Sequence, residues 1–104
     1  MVELVEVGSV EEFTEDTVTA FDVEGTELMG VKIDGKYVVT SRVCTHKYFD
    51  LTRGHYADGY VTCTLHTSTF DLGDGSAMNP PATEPIRTYP TEVKDGKVFI
   101  DIDE

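Results

Sequence analysis

Leu28-Met29-Gly30-Val31-Lys32-Ile33-Asp34-Gly35-Lys36-Tyr37-Val38-Val39-Thr40 reads as two β-strands folded back on each other. Leu28 to Ile33 and Lys36 to Thr40 are rich in β-branched and aromatic side chains, which suit a pleated, half-buried surface. Asp34-Gly35 joins them. A two-residue type I′ turn needs positive φ at both central positions, and Asp-Gly is among the pairs that accept this most readily. The same device returns near the end, where Asp95-Gly96 separates Glu92-Val93-Lys94 from Lys97 to Ile102. Between Thr17 and Val23, apolar and polar residues alternate as a strand with one buried face requires. Val2, Leu4 and Val7 mark a first strand with Glu3 and Glu6 outward. Ser9 to Thr14 reads as one short helical turn, with Ser9 as N-cap and Glu12 closing a capping box.

Composition narrows the function. With 104 residues the chain suffices for one domain of modest core, in which a bound metal or cofactor contributes noticeably to stability. The net charge of −12, from 20 acidic and 8 basic residues, disfavours nucleic acid and anionic membranes as partners. Nowhere do 18 apolar residues run together, so no transmembrane helix is expected, and the acidic beginning lacks the layout of a secretory signal. The acidity is uneven. Residues 42–81 carry Arg42, Lys47 and Arg53 against Asp50, Asp58, Asp71 and Asp74, a net −1, which leaves −11 to the other 64 residues. Those acidic residues either solubilise a small β domain or steer it toward basic partners.

From about Arg42 to Ala82 the chain changes character. Gly, Asp, Pro, Thr and His are dense, and only Tyr60 to Cys63 and Thr69 to Leu72 read as strands. Little apolar surface is available here to offset the entropy of ordering, so something further must fix the segment. All three histidines and both cysteines lie in it. They fall as Cys44-Thr45-His46 and Cys63-Thr64-Leu65-His66, with sixteen residues between His46 and Cys63. Each half offers one soft thiolate and one borderline imidazole, so two tight loops can present four ligands to one metal site. A mononuclear zinc site, a disulfide and unliganded core thiols remain as alternatives on the residues alone. His55 fits no ligand position and is expected at the surface.

The Cys-x-His and Cys-x-x-His pair resembles the signature of the Rieske [2Fe–2S] family. Leu51-Thr52-Arg53-Gly54, Phe70-Asp71-Leu72, Gly75 and Pro80-Pro81 also fall where that family has similar residues. The resemblance implies an all-β, mainly antiparallel Rieske domain: a base β-sandwich from 1–41 and 82–104, with an inserted cluster-binding subdomain at 42–81. It implies one [2Fe–2S] cluster per chain, with Cys44 and Cys63 on one iron and His46 and His66 on the other. Pro80 and Pro81 would belong to a third loop covering the cluster. The implied function is that of a soluble, cytoplasmic, monomeric one-electron carrier. It would pass electrons from a flavin-dependent reductase to a terminal oxygenase, without turning over substrate itself. A small Rieske subunit of a larger oxidoreductase complex, a structural zinc module and a redox-sensing interaction domain are the alternatives.

Two thiolates and two neutral imidazoles bring a diferric cluster core of charge +2 to zero, whereas four thiolates leave −2. Reducing the neutral centre costs less, in line with potentials of roughly −150 to +300 mV for Rieske centres against about −400 mV for plant-type ferredoxins. The high-potential branch of the family carries a cysteine in each loop at the positions of Phe49 and Leu65, and a tyrosine at that of Phe70. Ser68 retains the serine position, so the lower or middle part of the range is expected. The midpoint is expected to fall with pH above the pKa of the ligand imidazoles in the oxidised state.

Overall fold

Among the described residues four hairpins each turn on two residues of positive φ, and a fifth, joining Tyr60–Thr62 to Thr69–Asp71, closes through a longer loop. In the computed structural model these pairs are Glu24-Gly25, Asp34-Gly35, Asp58-Gly59 and Asp95-Gly96, with φ between 51° and 84°. The structure describes residues 4–45, 49–64, 68–79 and 84–102. Among them the strands are β1 (Leu4–Ser9), β2 (Thr19–Val23), β3 (Thr26–Ile33), β4 (Lys36–Ser41), β5 (His55–Ala57), β6 (Tyr60–Thr62), β7 (Thr69–Asp71), β8 (Thr88–Tyr89), β9 (Thr91–Lys94) and β10 (Lys97–Asp101). They form three antiparallel sheets, ordered β1-β10-β9, β2-β3-β4-β8 and β5-β6-β7.

The central sheet is buried on both faces, which explains the unbroken apolar run Leu28 to Val31. Leu28 joins Phe13, Phe21, Val39, Tyr89, Val98 and Ile100 in a core against the β1-β10-β9 sheet. Met29 and Val31 point the other way, into a second core with Leu51, Val61, Phe70, Leu72 and Ile86. Gly30 lies beneath the stacked rings of Phe13 and Phe21, whose centroids are 5.0 Å apart, and a β-carbon there would strike the Phe13 ring. The segment that looked too polar to fold therefore borrows its core from β3.

Several expectations need correction. Leu4 does not face inward: it is 42% exposed, while Val5 and Val7 pack on the core. A register shift between Glu6 and Gly8 breaks the simple alternation of β1. Val2 and Glu3 lie outside the described residues. β2 begins at Thr19, because Thr17 instead pairs with Thr14 in an isolated bridge. The helical turn is a three-residue 3₁₀ helix, Val10–Glu12, and Glu12 Oε1 accepts the Ser9 N–H at 2.8 Å as the capping box requires. Among the described residues no helix is long and apolar enough to cross a membrane.

Candidate metal centre

The two cysteines begin two loops of identical closure. The Cys44 N–H donates to the carbonyl oxygen of Phe49 at 3.1 Å, and the Cys63 N–H to that of Ser68 at 2.8 Å. In each case the bond spans five residues. Both thiols are buried, at 3% and 2% exposure, and both belong to the apolar cluster of Met29, Val31, Leu51, Val61 and Phe70. No disulfide joins them. His46 and His66 lie outside the described residues, as do Leu65, Pro80 and Pro81.

The residues flanking 80–83 are tied to both loops. Asn79 Oδ1 accepts the Thr69 N–H at 2.7 Å, and the Met78 N–H donates to the Thr69 carbonyl oxygen at 2.7 Å. On the far side, Thr45 Oγ1 donates to the carbonyl oxygen of Glu84 at 2.7 Å. Ser68 is buried beside Cys63, and Phe70 has no exposed surface in the same apolar cluster as both thiols. His55 is exposed on β5, opposite Thr62.

Two features escaped the sequence reading. The first is Arg42, which entered that reading only through the net charge of residues 42–81. Its side chain is buried, and Nη1 donates to the carbonyl oxygens of Phe21 (2.8 Å) and Leu28 (3.1 Å). Nη2 meets Asp22 Oδ1 at 3.0 Å and Glu27 Oε2 at 3.5 Å, and Nε lies 3.4 Å from Asp50 Oδ2. Burial opposes its charge, but Asp22, Asp50 and Glu27 outweigh that and raise its pKa. Asp50 caps the 3₁₀ turn Leu51–Arg53 through Thr52. Burial opposes the Asp50 charge too, yet the Thr52 and Arg42 contacts hold its carboxyl below the usual value. The second is Tyr56, which donates to Asp16 Oδ1 at 2.9 Å and ties β5 to the turn before β2. Burial and that hydrogen bond push its phenol up to about 12.

The donor set fits a [2Fe–2S] cluster. Two buried thiols on matched loops stand in one apolar cluster, where a centre neutralised by two thiolates and two neutral imidazoles costs less to bury than a dianion. Among the described residues no three His, Cys, Asp or Glu side chains are grouped to hold a metal ion.

Comparison with known proteins points the same way. The Rieske [2Fe–2S] domain family matches residues 3–90. The chain is 31% identical over 101 residues to the ferredoxin component of the naphthalene 1,2-dioxygenase system of Pseudomonas putida, covering 97% of each chain. It is 34% identical over 97 residues to the anthranilate 1,2-dioxygenase ferredoxin subunit of Burkholderia cepacia, covering 92% of this chain and 89% of that one. Among solved structures it superposes on the Sphingomonas yanoikuyae B1 ferredoxin with a TM-score of 0.88 and 31% identity, covering 95% and 98% of the two chains.

Proposed function

The chain belongs to the Rieske [2Fe–2S] family, and from that premise we propose that it is a ferredoxin that carries single electrons from a flavin-dependent reductase to a terminal ring-hydroxylating oxygenase. The observation that carries this reading is the pair of matched loops that bring Cys44 and Cys63 into one buried apolar cluster. Cys44 and Cys63 would hold one iron, and His46 and His66 the other. When bound, the cluster supplies a one-electron couple.

The chain's own residues set the conditions for that couple. Met29, Val31, Leu51, Val61 and Phe70 shield the thiol side from water, so a change of charge there is weakly screened. Ser68 is the hydroxyl beside Cys63, while Phe70 offers none, and a midpoint in the lower or middle part of the Rieske range follows. The division into a base of 1–41 and 82–104 and a cluster-binding subdomain of 42–81 belongs to the same proposal, as do a monomeric state and a cytoplasmic location. The named dioxygenase relatives support the choice of acceptor, and the acidic base supplies the charge to steer toward a basic docking surface.

A potentiometric titration of the iron-loaded chain, followed by mixing of the reduced protein with a purified ring-hydroxylating oxygenase, tests the proposal. It requires a single one-electron couple and reoxidation that slows as salt is added. A chain with no couple in the Rieske range, or one that the oxygenase never reoxidises, contradicts it.

A further inference from the structure

Arg42 stands where the first cysteine loop lacks what the second has. The second loop, from Cys63 to Ser68, closes the β6–β7 hairpin and is backed by the β5-β6-β7 sheet. Among the described residues the first, from Cys44 to Phe49, is flanked by the isolated bridge Val43↔Asp50 and by two hydrogen bonds of the Arg42 backbone, its N–H donating to the Glu27 carbonyl oxygen and its own carbonyl oxygen accepting from the Leu51 N–H. At this weakly paired site lies a buried guanidinium. Two of its hydrogen bonds go to the backbone of β2 and β3, at Phe21 and Leu28.

We propose that Arg42 is a positioning residue for Cys44, its guanidinium acting with Asp50 as the anchor that ties the first cysteine loop to the base sheet. The proposal rests on the reading of Cys44 as a cluster ligand. Asp50 is the partner on the loop itself. Its Oδ2 lies 3.4 Å from the buried Arg42 Nε, an ion pair without hydrogen-bond geometry, and its Oδ1 accepts from the Thr52 N–H and hydroxyl, holding the turn that buries Leu51. One carboxylate therefore couples the guanidinium to the far end of the loop. Asp22 is 70% exposed against 32% for Asp50, so water screens that pair more strongly, and Asp22 and Glu27 both belong to the β2–β3 hairpin rather than to the cysteine loop. Lysine cannot replace this arrangement, because one ammonium lacks the planar fork that reaches two carbonyls and a carboxylate together.

The test uses the full, iron-loaded chain and measures release of iron to a chelator at neutral pH, thermal unfolding, and the EPR line widths of the reduced protein. Arg42→Gln and Asp50→Asn should each speed release at least fivefold and broaden the EPR lines. Asn still accepts from Thr52, so Asp50→Asn removes the charge while keeping the cap. The double variant should release iron no faster than Arg42→Gln alone, since both remove one shared anchor. Val98→Ala, in the other core, should lower the unfolding temperature with release within twofold of wild type. Should Arg42→Gln fail to fold, Asp50→Asn against Val98→Ala decides the matter. Wild-type release rates in the loaded Asp50→Asn chain, multiplicative effects in the double variant, or release in Val98→Ala that tracks its lost stability would overturn the proposal. A wild-type chain that takes up no iron or sulfide overturns the reading of the site itself, and the proposal with it.

Discussion

The two cysteine loops close with the same backbone hydrogen bond, yet the fold holds them in different ways. The second is the tip of a hairpin, and the ladder from Tyr60 to Asp71 fixes it through local pairing. The first has only an isolated bridge and two backbone bonds of Arg42, and side chains add the rest of its support: Arg42 reaching back to β2 and β3, Asp50 capping the next turn, and Leu51 buried beneath. Local pairing tolerates the loss of one side chain, because the neighbouring hydrogen bonds remain. A loop held by a few side chains does not. The first loop should therefore be the more easily disturbed half of the centre.

The largest test of this asymmetry is Leu51→Ala. Leu51 is fully buried, and its truncation should cost about 3 kcal/mol in urea unfolding and speed iron release. Val61→Ala in β6, equally buried, should cost about 2 kcal/mol and leave release closer to wild type. Gly54→Ala comes next, at about 2 kcal/mol. A β-carbon at position 54 would press on the carbonyl oxygen of Thr62, prising the 3₁₀ turn behind the first loop away from β6.

Acid should separate the loops further. The Asp50 pKa is lowered in the folded protein, so its contribution is fully present above the ordinary value of 3.8 and is lost as pH falls through the lower, folded value. Stability of the wild type should drop more than that of Asp50→Asn as the pH falls from 5 to 3, measured by urea midpoints. The smallest effects belong to the second loop and are electronic. A hydrogen bond worth about 0.5–1.5 kcal/mol corresponds to roughly 20–60 mV for one electron. Ser68→Ala should lower the midpoint by about that much and Phe70→Tyr raise it, as read by potentiometry. Unmoved midpoints in both would remove Ser68 and Phe70 from the account.

How much of this the sequence reveals depends on how local each cause is. Asp34-Gly35 and Asp95-Gly96 declare their hairpins because two adjacent residues suffice. Asp58-Gly59 carries the same dipeptide but is flanked by the three-residue strands β5 and β6, too short for alternation to stand out. Glu24-Gly25 uses a glutamate at positive φ, which turn statistics do not favour. The ligand pattern is legible for the same reason as the turns: its halves are contiguous. Arg42 is not, since its partners Phe21, Asp22, Glu27 and Leu28 lie 14 to 21 residues upstream and meet it only when β2 and β3 pair. A lone arginine two residues before a cysteine looks like an ordinary surface charge until that sheet exists. The phase of β1 failed for another reason: Leu4 and Val7 are three residues apart, so a period of two can turn only one of them inward, and Val5 and Val7 are the pair that pack on the core.

The central claim is that two thiolates from Cys44 and Cys63 and two imidazoles from His46 and His66 hold one [2Fe–2S] cluster. The EPR spectrum of the reduced, iron-loaded chain tests it most directly. The account predicts an average g value clearly below that of four-cysteine clusters, because histidine ligation changes the ferrous site. An average g value matching four-cysteine clusters, or a colourless protein containing zinc and no labile sulfide, would contradict it.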